Sequence, residues 1–240
     1  MNLSGDQLSS VTPNPTEENR LAEELTETWG EAVKISGDRR ALEKKIGIAL
    51  PDASIASLFG GIRGSLVEIQ PDGLNVDVWT SNNWFETPLY FSVERDGTGI
   101  IQTINDFFLK ENAPKTLGTR MIARMVFQAM TIPRFIAIQA SAMRFYPPKE
   151  GGVIREVNGY YFFPRLGFNA DPKNADDYVE IPKPIKGKKL LSIMKDPELR
   201  QWWKENGQTI EVRFRIRSKR SVRALQTYLV EKGIRISNMA

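Results

Sequence analysis

The chain of 240 residues contains no cysteine and no histidine. The absence of cysteine excludes disulfides, thiol nucleophiles and thiolate-ligated metals, and the absence of histidine excludes Ser-His-Asp triads. A zinc site is disfavoured as well, because carboxylates alone suit hard cations better than zinc. Any acid–base catalysis must therefore use Asp, Glu, Tyr, Lys or water.

The sequence also lacks an apolar run of membrane-spanning length, since the stretch 121–138 is interrupted by Arg, Gln and Pro. Its first residues, Met-Asn-Leu-Ser-Gly-Asp, lack the basic start and apolar core of a secretory signal. An apolar fraction of 41% and an aromatic fraction of 10% are typical of a globular domain. We therefore expect a cytoplasmic protein without a membrane partner.

The net charge of +4 is unevenly distributed, because residues 213–223 hold six cations and no acid whereas residues 17–31 are strongly acidic. Three arginines of the stretch 213–217 share one face of a predicted strand, a geometry that can track phosphates. A charged edge strand that discourages aggregation explains the same pattern. We favour the edge strand over nucleic-acid binding, because no aromatic side chain is interleaved on that face.

Periodicity and composition divide the chain into four regions. Residues 1–16 form a polar tail, 17–60 the N-terminal helices, 61–170 a core, and 171–240 a linker with a helix–strand–helix extension. Within the second region, we expect helices near residues 16–29, 38–50 and 54–59. A polar tail with two prolines is rarely ordered alone, so order there would indicate a protein partner or a homo-oligomer.

The core region begins with a row of predicted strands. Alternating patterns predict strands over residues 65–70, 74–79, 89–94 and 99–109, which suggests an antiparallel meander. A helix over 118–130 and a short buried strand over 134–140 follow, so the sheet becomes partly parallel. Farther on, we expect a helix over 196–206, a strand over 209–217 and a final helix after Ser218. The predicted fold class is α/β (α+β), with a mixed and mostly antiparallel sheet.

Two segments are candidates for a functional site. At the first, a strand leads through a turn into a helix that begins near Gly118. The backbone amides and the dipole at the start of this helix favour binding of a pyrophosphate, and Lys115 and Arg120 add positive charge. The second is the aromatic run Tyr160-Tyr-Phe-Phe-Pro-Arg-Leu-Gly-Phe, which could line a ligand slot. Taken singly, an ordinary strand–helix connection and core packing around Gly167 explain these segments better.

Taken in order, three stretches resemble the Gcn5-related N-acetyltransferases (GNAT) over roughly residues 60 to 170. They are Gly118-Thr-Arg-Met-Ile-Ala-Arg-Met-Val-Phe-Gln-Ala, Phe135-Ile-Ala-Ile-Gln-Ala and Arg165-Leu-Gly-Phe. The first is similar to the pyrophosphate loop and following helix of that family, and the last to its Leu-Gly-Phe signature. The C-terminal region is similar to extensions on such domains in bacteriophage and mobile-element proteins.

The resemblance implies a GNAT-like fold, acetyl-CoA as cofactor and an amine-bearing acceptor. Asp106, or a water that it holds, would deprotonate the amine, and Tyr161 would protonate the thiolate leaving group. Backbone amides near Phe108 and Leu109 would polarise the thioester carbonyl. The resemblance assigns cofactor binding to Phe108, Leu109, Lys115, Leu117, Gly118, Thr119 and Arg120.

The sequence departs from the family at the same positions. Of the loop glycines only Gly118 remains, Pro114 lacks an N–H, and Thr116 is β-branched where a phosphate should approach closely. The position of the frequent tyrosine acid is Phe163. Two functions therefore stay open: an acyl-CoA-dependent N-acyltransferase or a degenerate relative of one, and a non-catalytic structural or assembly part such as a bacteriophage virion component.

Overall fold

The computed structural model describes residues 15–27, 32–146, 155–175 and 180–235. Residues 1–14 of the predicted polar tail lie outside the described residues, and so does the prediction of a partner that orders them. The strands are β1 (Lys34–Gly37), β2 (Leu66–Asp72), β3 (Asn75–Ser81), β4 (Leu89–Arg95), β5 (Ile100–Asp106), β6 (Phe135–Ala142), β7 (Phe145–Tyr146), β8 (Arg155–Glu156) and β9 (Ile210–Arg215). The helices are α1 (Pro15–Glu27), α2 (Arg39–Ile46), α3 (Asp52–Leu58), α4 (Leu117–Thr131), α5 (Gly159–Arg165), α6 (Leu190–Ile193), α7 (Pro197–Asn206) and α8 (Lys219–Glu231), with 3-10 turns at Pro172–Asn174 and Lys183–Ile185.

Seven strands form one mixed sheet in the order β1-β2-β3-β4-β5-β6-β9. Strands β2 to β5 make an antiparallel meander, β5 and β6 run parallel on either side of the α4 crossover, and β9 pairs antiparallel with β6. The predicted α/β class with a mixed, mostly antiparallel sheet is confirmed. The C-terminal extension contributes β9 to this same sheet.

Strand β1 and helix α5 are among the elements that the sequence patterns did not predict; the short β7, β8 and α6 are others. Strand β1 has four residues, most of them exposed, and runs parallel to β2 at the sheet edge. Helix α5 contains the aromatic run, with Pro164 in its last turn and Phe163 packed edge-on against Phe168 at 5.1 Å. Apolar residues in both elements join the core through tertiary contacts, which a local pattern does not report.

Two predicted boundaries are wrong. The helix predicted over residues 38–50 ends at Ile46, because Gly47 turns left-handed (φ 87°) and its N–H donates to the Glu43 carbonyl oxygen at 2.7 Å. The strand predicted over 99–109 ends at Asp106, and an isolated bridge pairs Leu109 with Phe85 instead. Within the described residues, no helix is long and apolar enough to cross a bilayer.

Helices α2, α3 and α4 pack against one face of the sheet. On that face, the ring of Phe59 lies edge-on to Phe91 at 5.7 Å, and the Thr80 hydroxyl donates to the Phe59 carbonyl oxygen at 2.7 Å. The Gln102 amide donates to the Leu58 carbonyl oxygen at 2.7 Å, which ties β5 to the end of α3. One continuous core runs along this side and holds the β5–α4–β6 unit in place.

Candidate functional site

A cleft of about 920 Å³ opens where the parallel strands β5 and β6 separate. Their pairing runs from Ile100 and Phe135 to Ile104 and Ala140, and the cleft begins beyond the last pair. Asn105 and Phe107 line the β5 side of the cleft, and Ser141 and Met143 line the β6 side. Ligands in open α/β sheets commonly bind at such carboxyl ends of parallel strands.

The amino end of α4 forms part of the cleft wall through Gly118 and Thr119, with Lys115 beside them. The first hydrogen bond of the helix runs from the Arg120 N–H to the Thr116 carbonyl oxygen at 3.0 Å. Gly118 and Thr119 therefore lie in the first turn, where the N–H groups lack an intrahelical acceptor. The start of α4 contributes positive potential to the cleft.

Apolar side chains pack closely around Gly118. A Cβ added there would lie 3.3 Å from Leu109 Cδ1, 3.5 Å from Phe107 Cε1 and 3.7 Å from Phe162 Cζ. Only the distance to Leu109 Cδ1 is shorter than an ordinary contact of a Cβ, so Gly118 allows Leu109 to approach the turn closely. Apolar side chains therefore lie next to the first turn of α4 where it lines the cleft.

Phe108 and Leu109 also line the cleft. The Glu86 N–H donates to the Phe108 carbonyl oxygen at 3.0 Å, and the Lys110 N–H donates to the Trp84 carbonyl oxygen at 2.9 Å. In an antiparallel ladder, a residue between two such bonds directs its own N–H away from the partner strand. The Leu109 amide therefore points to the β6 side, where the cleft lies.

Two of the residues predicted to bind the cofactor lie elsewhere. Arg120 is 4% exposed, and its Nη1 donates to the Arg235 carbonyl oxygen at 2.9 Å while Nη2 lies 3.8 Å from Glu23 Oε2. Leu117 is fully buried, and its N–H donates to the Pro114 carbonyl oxygen at 2.9 Å. Arg120 links α4 to α1 and the C-terminal segment, and Leu117 belongs to the core.

The predicted catalytic pair is not brought together in the cleft. Asp106 lies opposite Tyr90 in the β4–β5 register, and burial raises the pKa of its carboxyl. The ring of Tyr161 lies 5.7 Å from the Arg165 guanidinium carbon. Among the described residues that line the cleft, neither Asp106 nor Tyr161 is present.

Two other tyrosines line the cleft instead, Tyr160 and Tyr228. The Tyr160 hydroxyl donates to the Lys204 carbonyl oxygen at 2.5 Å, which fixes α5 to α7. Tyr228 comes from α8, and burial raises the pKa of its hydroxyl. Tyr228 is therefore a neutral hydroxyl group at the amino end of α4.

Arg165 contacts two residues on the side of α8 that carries Tyr228. The Arg165 guanidinium carbon lies 4.4 Å above the centre of the Tyr228 ring, and Arg165 Nη2 lies 3.0 Å from Glu231 Oε2. The sequence signal for Tyr228 was its place three residues after Leu225, at the flank of the buried face of α8. That spacing indicates partial burial but does not indicate which surface the ring contacts.

Charged side chains at the cleft are mostly acidic. Glu86, Glu111 and Glu156 contribute carboxylates to the described lining, and Lys115 contributes the cation. Glu156 Oε1 lies 3.4 Å from Arg144 Nε, and Arg144 in turn donates to the Gly207 carbonyl oxygen at 2.7 Å. The cleft therefore combines an amide-rich turn near Lys115 with carboxylates at its rim.

Comparison of the chain with protein-family models, with curated proteins and with solved structures finds no match. The resemblance to the Gcn5-related N-acetyltransferases therefore stays a prediction from residues 60–170. What bears on function in this chain is the cleft itself and the groups that line it.

Proposed function

We propose that the chain is an acyl-CoA-dependent N-acyltransferase that works in the cleft between β5 and β6. The observation that carries the proposal is the loss of pairing beyond Ile104 and Ala140, which opens a cleft of about 920 Å³ beside the first turn of α4. Small-molecule sites commonly have volumes of roughly 300–1,000 Å³. A parallel strand pair that diverges next to a helix start provides both a slot and amide donors.

The groups in the cleft fit an acyl thioester with a diphosphate. Gly118, Thr119 and Lys115 would hold the diphosphate, and the Leu109 amide would donate to the thioester carbonyl. Acetyl-CoA supplies an activated acyl group when bound. Phe107 and Phe162 would exclude water from the part of acetyl-CoA that carries the thiol.

Tyr228 is the proposed proton donor to the departing thiolate. Its hydroxyl keeps its proton through the physiological range, because burial raises its pKa. Tyr228 lines the cleft together with Thr119 of the first α4 turn. In this proposal Tyr228 takes the role that the family resemblance assigned to Tyr161, and Asp106 keeps no part in the chemistry.

The acceptor in this proposal is a cationic amine. Glu86, Glu111 and Glu156 at the rim favour a positively charged group over a neutral or anionic one. An amine must lose a proton before it attacks a carbonyl, and one of these carboxylates or a water beside it can take that proton. A cytoplasmic setting supplies both substrates.

A second function, a non-catalytic structural or assembly part such as a virion component, is favoured by three observations. Leu109, Phe107 and Phe162 surround Gly118 within 3.7 Å of a Cβ position, and Pro114 lacks an N–H in the loop before it. The three rim carboxylates also oppose a bound diphosphate. In that case the cleft holds no coenzyme.

Titration calorimetry with acetyl-CoA separates the two functions. We expect micromolar binding by the wild type, and binding about tenfold weaker or worse in Lys115→Ala, because a cation beside a diphosphate contributes about 1–2 kcal/mol. Lys110→Ala is the matched control, since Lys110 is exposed in the same loop and does not line the cleft. No heat of binding at millimolar acetyl-CoA would reject the enzyme and leave the assembly function.

The role of Tyr228 is tested in the same variants by steady-state kinetics on amine acceptors. Tyr228→Phe should lower kcat about 100-fold or more with acetyl-CoA affinity unchanged, because it removes one proton donor. Tyr161→Phe is the matched control and should keep wild-type kcat. Equal losses in the two variants would remove the assignment of Tyr228.

A further inference from the structure

We infer that the chain binds the phosphate backbone of a nucleic-acid duplex on an exposed surface at the amino end of α8. We call this surface the basic surface, and it is formed by six exposed cations: Arg217, Lys219, Arg220, Arg223, Lys189 and Lys195. None of these residues belongs to the described lining of the cleft between β5 and β6. The inference therefore does not depend on the proposed acyl transfer.

Two segments that contain cations and no acids supply the basic surface. Residues 181–195 contain five lysines, and residues 212–230 contain six arginines and lysines. Together these segments hold 11 of the 33 cations of the chain and none of its 29 acids. The rest of the chain is therefore net negative. Solubility is served by charges of both signs that are interspersed, so this separation indicates an anionic partner.

The fold brings the two segments together. Arg220 Nη2 donates to the Ser192 hydroxyl oxygen at 2.6 Å, which joins the amino end of α8 to α6. Lys189 and Lys195 lie three residues before and three residues after Ser192, and both are exposed. The lysines of the first segment are therefore placed beside the cations of α8, although they lie far away in sequence.

On α8 the cations occupy the side of the helix that faces solvent. At about 100° per residue, Lys219, Arg223 and Arg220 span an arc of about 100° around the helix axis. Leu225 and Leu229, which are buried, lie on the other side of the helix. All three charged groups can therefore contact one partner at the same time.

A groove of about 430 Å³ lies among these cations. Its described lining consists of three cations, one amide and three apolar side chains: Arg217, Lys219, Arg223, Gln226, Met130, Ile216 and Val222. Within the described part of the chain, none of the three cations forms a salt bridge or a side-chain hydrogen bond. The groove therefore offers positive charge that the described residues of the chain do not neutralise.

The cations at the start of α8 oppose the stability of the helix that carries them. The amino end of a helix is positively polarised, so anions stabilise it and cations destabilise it. The first turn of α8 contains Lys219 and Arg220 and no acid, and Arg223 follows one turn after Lys219. Residues that oppose local stability are expected at functional sites, and a phosphate bound here would offset the repulsion.

A duplex fits the basic surface better than other anionic partners do. Single-stranded nucleic acids and membrane surfaces are held by aromatic or apolar side chains, and the described lining of the groove includes no aromatic residue. An interface with an acidic protein has an apolar core, whereas Met130 is the one exposed large apolar side chain among the described groove residues. A duplex requires neither, because its dense phosphates attract lysine and arginine directly.

The arginines within strand β9 are not part of this surface. Arg213 and Arg215 belong to the ladder with β6, opposite Gln139 and Ala137. The prediction of a charged edge that discourages aggregation concerns these strand residues. The basic surface begins beyond the end of β9, at Arg217, and needs no aromatic residue interleaved on the strand.

Fluorescence anisotropy of a labelled DNA duplex, titrated with the full chain at several salt concentrations, tests the inference. The logarithm of the binding constant should fall linearly with the logarithm of salt concentration, with a slope of about −4 to −5, because each phosphate contact contributes about 0.9. Arg223→Ala should reduce this slope by about 0.9, and Arg223→Glu should weaken binding about tenfold or more at low salt. An RNA duplex should bind alike, since the contacts are to phosphates.

The matched control is Arg40, an exposed arginine in the first turn of α2. Arg40→Ala should keep the wild-type affinity and slope. Equal losses in Arg223→Glu and Arg40→Glu would show that binding follows net charge alone, which would overturn the inference. Far-ultraviolet circular dichroism identical to that of wild type verifies that each variant is folded.

Other results would also overturn the inference. They are no change in anisotropy at low salt, or an affinity for the duplex that does not depend on salt concentration. Tighter binding of a single strand, of phosphatidylserine vesicles or of polyglutamate than of the duplex would assign the basic surface to a different partner.

Discussion

Gly167 adopts a left-handed backbone (φ 95°) where the end of α5 meets β9 and α8. A Cβ at this position would lie 2.4 Å from the Ser221 carbonyl oxygen and 2.9 Å from Phe214 Cε2. Ser221 is buried in the first turn of α8, and Phe214 is fully buried in β9. Replacement of Gly167 with alanine therefore forces a backbone atom or a core ring to move.

The cost of Gly167→Ala has two parts. The left-handed conformation costs a residue with a side chain about 1–2 kcal/mol. Insertion of an extra carbon into a packed core costs about 1–3 kcal/mol more. The sum of about 2–5 kcal/mol is a large share of the roughly 5–15 kcal/mol that holds a typical domain folded.

Urea unfolding followed by far-ultraviolet circular dichroism measures this cost against a matched control. Gly187 is also left-handed (φ 73°), but no atom lies within 4 Å of its Cβ position. Gly187→Ala should therefore lose only the conformational part, about 1–2 kcal/mol. Equal free energies of unfolding for the two variants would refute close packing at Gly167.

Two further predictions concern buried groups. Trp203→Phe should lower the free energy of unfolding by about 1–3 kcal/mol more than Trp202→Phe does. The buried Trp203 Nε1 donates to the Tyr160 carbonyl oxygen at 3.0 Å, whereas Trp202 is only partly buried. Equal losses of the two variants in urea unfolding would contradict this. Burial raises the pKa of the Asp77 carboxyl, although the Tyr90 hydroxyl donates to it at 3.0 Å. Because the pKa of Asp77 is higher in the folded state than its ordinary value of 3.8, this carboxyl stabilises wild type below pH 3.8, and the stabilisation is lost as the pH rises through the folded pKa. The free energy of unfolding of Asp77→Asn should therefore increase relative to that of wild type between acid and neutral pH. A stability difference that is constant with pH would contradict the assignment.

The elements predicted well are those whose local signals agree with their tertiary contacts. Helix α7 was bounded by Asp196 and Gly207, and the Asp196 carboxylate accepts from the Glu198 and Leu199 amides at 3.0 and 3.1 Å. Strand β9 showed a complete alternation, and its pairing with β6 buries the apolar half. Such elements need little information from the rest of the chain.

The site was less predictable because it is assembled from distant residues. The helical pattern of α4 fixed where Gly118 lies, but the direction of the Arg120 side chain depends on Glu23 and Arg235, which lie far away in sequence. Tyr228 enters the cleft through the packing of α8 on α5. The spacing of aromatic residues indicates burial, and the cleft that a ring faces is a property of the whole fold.

The central claim is that acyl-CoA binds between β5 and β6 at the first turn of α4. Backbone amide resonances of the uniformly labelled protein, recorded as acetyl-CoA is added, test this claim most directly. We predict that the Asn105, Leu109, Gly118 and Thr119 amides shift, while the Gly73 amide in the distant β2–β3 turn stays in place. No shift at millimolar acetyl-CoA, or shifts confined to residues outside the cleft, would contradict the account.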